Sequence, residues 1–251
     1  MLLGGGLRNV GPSWPTDVTL DWNDGSLFVQ KITAWDAVIS KLSDKGSLGF
    51  SFDDPNPLSR NNVSCSNLYM SYAYSVAKAA RGNNNLKVLD YGGALGQYYL
   101  LSHSLFPEIS FDYHCKEMEE AVKIGHKKQP NIKWHTSDDC LSDNYDLIHI
   151  GSSLQYAEKW KEKLEAICAA ATGYIFLGRT PLTTNSRTFC ARQIPRGIPL
   201  WVFNEQELFG FFEAHSFELY REFSTDEKYP ITGSNANVRG RNLLFKRVNC
   251  L

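Results

Sequence analysis

The residues best placed to do chemistry are those at 88–97, Val-Leu-Asp-Tyr-Gly-Gly-Ala-Leu-Gly-Gln. An apolar run ends in a carboxylate, Asp90, and then in Gly92, Gly93 and Gly96. The pattern beyond them is helical. A strand that turns sharply into a helix needs residues without a Cβ, because the backbone must bend and let a ligand approach. The helix beyond offers unpaired N–H groups and the positive end of its dipole. Such a turn suits a nucleotide or nucleoside carrying a negatively charged end.

Two ligand chemistries fit, and the residues separate them. A dinucleotide fingerprint needs Gly-x-Gly-x-x-Gly. Counted back from Gly96 and Gly93, its first glycine falls on Tyr91. Asp90 would repel a pyrophosphate, yet it can accept hydrogen bonds from the ammonium of a methionine moiety, directly or through water. Asp-x-Gly-Gly-x-x-Gly therefore fits S-adenosylmethionine (SAM) better than NAD. Glu117 lies 21 residues after Gly96, where a carboxylate in a βαβ site binds ribose hydroxyls. Met118 is a candidate for the adenine face. Asp138, with Asp139, is a candidate for the adenine amino group. Gly151 and Ser152 end a further strand at the ligand crevice.

The surrounding elements must position these groups. From residue 86 onward short apolar strands alternate with helical patterns: strands near 86–91, 109–117, 132–136, 145–151 and 173–178, helices near 97–106, 118–128 and 157–171. Such alternation means βαβ units and a parallel sheet. Asn204-Glu205-Gln206-Glu207 forms a capping box that opens a helix to Ala214. Two strands, 217–223 and 242–248, follow with no helix between them, which predicts an antiparallel closing pair. Upstream, helices are expected at 33–42, with Thr33 as N-cap, and at 67–80. Residues 44–62 carry loop chemistry. Residues 1–30 read as a loose arm or irregular cap. The organisation expected is an N-terminal arm and helical cap over 1–82 and a cofactor-binding domain over 83–251. The fold class expected is α/β, a doubly wound, mostly parallel, Rossmann-like sheet.

Composition bounds the rest. The chain has 251 residues, 43% of them hydrophobic, and a net charge of −1. This excludes disorder and gives no basic excess for nucleic acid or anionic lipid. No run approaches the ~20 apolar residues of a membrane span. Six cysteines are scattered without a CxxC pair, against a zinc site or disulfide framework. A cytoplasmic protein with free thiols is the expectation.

At this point the chain resembles the class I SAM-dependent methyltransferases. Within them it is similar to a bacterial family often encoded with surface-polysaccharide biosynthesis. The matching residues are 88–96, Leu154-Gln155-Tyr156, Arg179-Thr180-Pro181-Leu182, and flanking stretches at 33–37, 193–195 and 243–247. The resemblance implies SAM as cofactor and methyl transfer, with a small-molecule or glycan precursor as acceptor and an oxygen as the methylated atom. It leaves oligomeric state open. Tyr156 and Arg179 are the candidate catalytic residues: Tyr156 lies in the loop after the fourth strand, and Arg179 either binds an anionic acceptor or forms a buried salt bridge. His149, inside an apolar strand, reads as a satisfied core histidine. The segment 193–201 reads as a second wall of the acceptor site, and the aromatic first third as packing or a lid. An NAD-dependent oxidoreductase or epimerase, and a non-catalytic SAM-binding domain, remain the alternatives.

Overall fold

The computed structural model describes residues 6–18, 29–42, 48, 63–194, 196–225 and 227–248. Trp22, Pro195 and nearly all of the loop expected at 44–62 lie outside them.

The alternating pattern folds as its periodicity dictates. Strand β2 (Asn85–Tyr91) leads through the glycine turn to helix α3 (Gln97–Leu105), then β3 (Ser110–Lys116), α4 (Glu119–Lys128) and β4 (Lys133–His135). β5 (Tyr145–Gly151), α5 (Trp160–Ala170) and β6 (Ala171–Thr183) continue the series. After α6 (Glu205–Ala214) come β9 (Phe217–Phe223) and β12 (Val238–Arg247). The neighbours run β4-β3-β2-β5-β6-β12-β9. β4, β3, β2, β5 and β6 are parallel, and β12 is antiparallel to both β6 and β9. The last strand of the sequence thus inserts between two earlier ones and leaves β9 at the edge. Apolar residues on the two faces of the sheet form separate cores. One gathers α1 (Val29–Leu42), α2 (Val63–Ala80) and α3 around Val88, Leu147 and Phe176. The other gathers α5 and α6 around Leu89, Ile148 and Ile175. Among the described residues no helix is long and apolar enough to cross a membrane.

Three expectations need correction. Residues 7–11 are not loose: they form β1 (Leu7–Gly11), antiparallel to β7 (Phe189–Gln193) and parallel to β11 (Ile231–Thr232). With β8 (Pro199–Asn204), which pairs with both β7 and the end of β6, these strands extend the sheet. The segment 193–201, read only as a second wall of the acceptor site, holds the last residue of β7 and the first three of β8, and the run from Leu200 to Phe203 is buried on both sides. Thr33 is not an N-cap. It lies one turn inside α1, and its hydroxyl donates to the Val29 carbonyl at 2.9 Å. Half of the capping box forms: the Asn204 side chain accepts from the Glu207 N–H at 2.9 Å, while the Asn204 N–H donates to Thr188 Oγ1 at 2.9 Å and not to Glu207.

Candidate active site at the carboxyl edge of the sheet

Strand order reverses between β2 and β5, and in open α/β sheets ligands bind at such a switch point, beyond the carboxyl ends of the strands. Backbone strain collects at the same edge. Five described non-glycine residues have positive φ: Arg81, Ala94, Ser152, Arg179 and Ser216. Arg81 and Ser216 follow α2 and α6, where a left-handed residue closes a helix. The other three lie in the turn after β2, just past β5, and in β6 one residue beyond Gly178, the partner of Gly151 (φ 51°, 63° and 54°). Such conformations cost roughly 1–3 kcal/mol each and cluster where function demands them. In the turn itself Gly92 (79°), Ala94 and Gly96 (81°) alternate in the left-handed region, so residue 94 does with a Cβ what its neighbours do without one.

Protein packing alone requires glycine at 92 and 93. A Cβ on Gly92 would fall onto the Ser153 side chain, and one on Gly93 onto Asp90 and the Cys115 thiol. Ser153 Oγ in turn donates to the Tyr91 carbonyl at 2.7 Å, pinning the loop after β5 to the end of β2. Helix α3 begins at Gly96 with no side-chain cap, leaving its N-terminus facing the edge.

Asp90 points inward. It is wholly buried; Oδ1 lies 2.9 Å from His149 Nδ1, and Oδ2 accepts from the Tyr113 hydroxyl at 3.2 Å. β2 pairs with β5 in a register that sets Asp90 beside His149. The His149 ring is stacked on Phe176 at 5.5 Å and contacts the Tyr98 ring edge at 4.2 Å. Burial pushes the phenols of Tyr98 and Tyr113 well up. His149 is indeed a core histidine, but not a satisfied one: among the described residues its buried Nε2 has no hydrogen-bond partner. Gln97 Oε1, at the first residue of α3, and Gln155 Oε1, just past β5, are buried and unpartnered too.

Tyr91, one residue on, turns to the other face. Its hydroxyl donates to Asp138 Oδ1 at 2.6 Å, and Lys116 Nζ lies 5.2 Å from its ring centre. Asp138 also receives Lys163 and has Lys116 at 3.8 Å. Burial would raise its pKa, but Lys163, Tyr91 and Lys116 together hold it below the usual carboxylate range. Asp139 is exposed and bonded to Ser137. Glu117 follows β3, half-buried, with Oε2 accepting from the Met118 N–H at 2.8 Å at the start of α4. β3 brings it beside the glycine turn, where the Gly92 N–H donates to the Lys116 carbonyl at 2.9 Å. Gly151 ends β5, and the Ser152 N–H donates to the Gly178 carbonyl at 3.0 Å.

At β6 the ladder to β12 is interrupted opposite Gly178 and Arg179, and the Asn242 side chain fills the gap by accepting from the Arg179 N–H at 2.8 Å. The bulge re-aims Arg179. Its guanidinium meets Glu227 at 2.6 Å, and Glu227 also receives the hydroxyls of Tyr229 (2.6 Å) and Ser64. Of the two readings of Arg179, the structure realises the ion pair. Tyr156 Oη accepts from Gln193 Nε2 at 2.8 Å. Glu227 and Asn242 escaped the sequence reading, since neither sits in a motif and each is brought in by long-range pairing, whereas Gln193 was read as part of the acceptor-site wall over 193–201.

No protein-family model matches the chain, and no curated protein does. Solved structures do match in fold. A candidate sarcosine dimethylglycine methyltransferase from Galdieria sulphuraria matches with a TM-score of 0.61 at 9% identity, over 92% of this chain and 100% of its own. An O-methyltransferase from a trans-AT PKS multienzyme of Brevibacillus brevis, in complex with S-adenosyl-L-homocysteine, gives 0.54 at 12% identity, over 72% and 73%. Magnesium protoporphyrin IX methyltransferase from Synechocystis PCC 6803, with bound SAH, gives 0.50 at 16% identity, over 90% and 100%. The fold is of the class I methyltransferase type.

Proposed function

We propose that the chain is a SAM-dependent methyltransferase that transfers the methyl group to an oxygen of a small molecule or glycan precursor. One observation carries this reading: a strained glycine turn at the switch point of a sheet ordered β4-β3-β2-β5-β6-β12-β9, with a carboxylate at the end of the neighbouring strand. The residues present fit the cofactor. Three unpartnered acceptor atoms near the ends of β2 and β5 (His149 Nε2, Gln97 Oε1 and Gln155 Oε1) suit a ligand rich in N–H donors, and the uncapped start of α3 suits a carboxylate. Neighbours in fold crystallised with S-adenosylhomocysteine add support.

In this reading Asp90, Gly92, Gly93, Gly96, Gly151 and Ser152 shape the seat of the amino-acid portion. Glu117 takes the ribose hydroxyls, and Met118 and Asp138 border the adenine. SAM, when bound, supplies an electrophilic methyl carbon. The protein's work is then to align the acceptor with that carbon and keep water out. Tyr156 and Arg179 stand on the acceptor side, Tyr156 held by Gln193 and Arg179 by Glu227. A hydroxyl acceptor must also lose its proton, and Tyr156 is the candidate to receive or relay it. Residues 83–251 carry the cofactor seat and residues 1–82 cover it; α2 supports this, since Leu68, Tyr69 and Tyr72 are buried in the same core as Val88. The resemblance of Leu154-Gln155-Tyr156 and of 179–182 supports action on surface-polysaccharide precursors, and the scattered buried thiols are in keeping with a cytoplasmic setting.

Thermal melts with SAM, S-adenosylhomocysteine and NAD test the core of this. SAM and S-adenosylhomocysteine raise Tm in proportion to the logarithm of their concentration. A rise with NAD alone overturns the reading in favour of an oxidoreductase or epimerase. Binding of SAM with no methylated product from any cell extract favours a non-catalytic domain.

A further inference from the structure

Asp90 was expected to meet a ligand's ammonium, yet both of its oxygens are engaged by protein and it is fully buried. The group it orients is not fully engaged. Oδ1 fixes His149 through Nδ1, which directs Nε2 the other way, and Nε2 has no hydrogen-bond partner among the described residues. A Cβ built on Gly151 would stand 3.1 Å from that nitrogen, and Tyr98 borders the same spot. Nε2 therefore lies directly beneath the end of β5. A buried polar atom left unpaired is destabilising, so a site that keeps one has a use for it.

We propose that His149 Nε2 is the acceptor for a cationic N–H donor of the bound ligand, and that Asp90 is the positioning residue that holds the ring with Nε2 directed to Gly151. Resting on the SAM reading above, the donor is the ammonium of the methionine portion. Asp90 thus acts on the ligand at one remove. With Nδ1–H given to the carboxylate, Nε2 presents its lone pair, and the negative charge of Asp90 strengthens that acceptor. A methyl group on Gly151 would crowd the ring, 3.0 Å from Cε1 and 3.1 Å from Nε2, so the ring would have to shift by a few tenths of an ångström. Tyr72, Tyr98 and Phe176 enclose the ring and fix its plane.

The test compares S-adenosylhomocysteine with its deaminated analogue, the adenosyl thioether of butyrate, which keeps the nucleoside and the carboxylate. In His149→Phe, calorimetry gives about a tenfold or greater loss of affinity for S-adenosylhomocysteine and about twofold or less for the analogue. Asp90→Asn, which preserves volume and releases the ring, shows a smaller loss with the same selectivity. Nitrogen NMR of the wild-type protein, which needs no variant to fold, shows the His149 Nε2 resonance moving with S-adenosylhomocysteine and staying in place with the analogue. Equal losses for both ligands, or an Nε2 resonance indifferent to the amine, overturn the proposal while leaving the cofactor reading intact. A wild-type protein that binds neither SAM nor S-adenosylhomocysteine overturns the cofactor reading itself.

Discussion

Asp90 and Tyr91 are adjacent, yet they live in different solvents. Strand alternation sends Asp90 to the face covered by α2 and α3, where it is wholly buried against His149 and the Tyr113 hydroxyl, with Tyr72, Tyr98 and Phe176 around the imidazole. Tyr91 faces α5 and meets a cage of charges, Asp138 between Lys116 and Lys163, in which the aspartate side chain is 41% exposed. Further along that face His114 and His135 stack at 5.1 Å beside Tyr145. The difference teaches where a carboxylate matters. On the dry face each lost hydrogen bond leaves an orphan that water cannot repair, whereas on the wet face solvent screens and substitutes.

The sharpest way to break this contrast is Asp90→Ala. It strands His149 Nδ1 and the Tyr113 hydroxyl in the core, and we expect about 3 kcal/mol of lost stability in chemical denaturation. Asp138→Ala, by contrast, is expected to cost about 1 kcal/mol or less. Equal costs would erase the distinction. Glu117→Ala tests the junction of the two faces: stability should hold, while calorimetric affinity for SAM falls by about 2 kcal/mol, the scale of lost charge-assisted hydrogen bonds.

Ala94→Gly probes the turn that links both faces. Removing a Cβ from a residue at φ 51° relieves strain, and stability should rise by up to about 1 kcal/mol. A fall in midpoint would mean that the alanine methyl packs usefully. The smallest effect concerns pH. Burial lowers the pKa of both His114 and His135 below the ordinary imidazole value, against the upward pull of Asp112 on His114 and of Asp143 on His135. The unfolded chain then binds protons first, so stability declines as pH drops below about 6.5. His135→Gln should flatten that decline in melts taken across the range, and an unchanged slope would exonerate the pair.

Legibility varied with the range of the interaction. β5, β9 and α6 could be read almost residue for residue, since period-2 runs and a capping box are local signals. The glycine turn was equally plain, because its spacing is set within a few residues. β1, β7, β8 and β11 escaped. Their partners lie far off in sequence, Leu7 beside Gln193 and Ile231 for instance, and a short strand acquires its identity only from the neighbour that completes its hydrogen bonds. The same holds for Glu227, which reaches Arg179 from beyond β9.

Local order, then, was enough to determine a β-turn-α loop, a carboxylate one strand over, and a parallel sheet to carry them, since turn chemistry and hydrophobic periodicity act through the nearest residues. Only the tertiary structure decided which groups can face a ligand. Three strands in register turned Asp90 away from solvent and toward His149, and a bulge spent Arg179 on Glu227. Direction and burial of a polar side chain depend on everything packed around it, and no spacing along the chain encodes that.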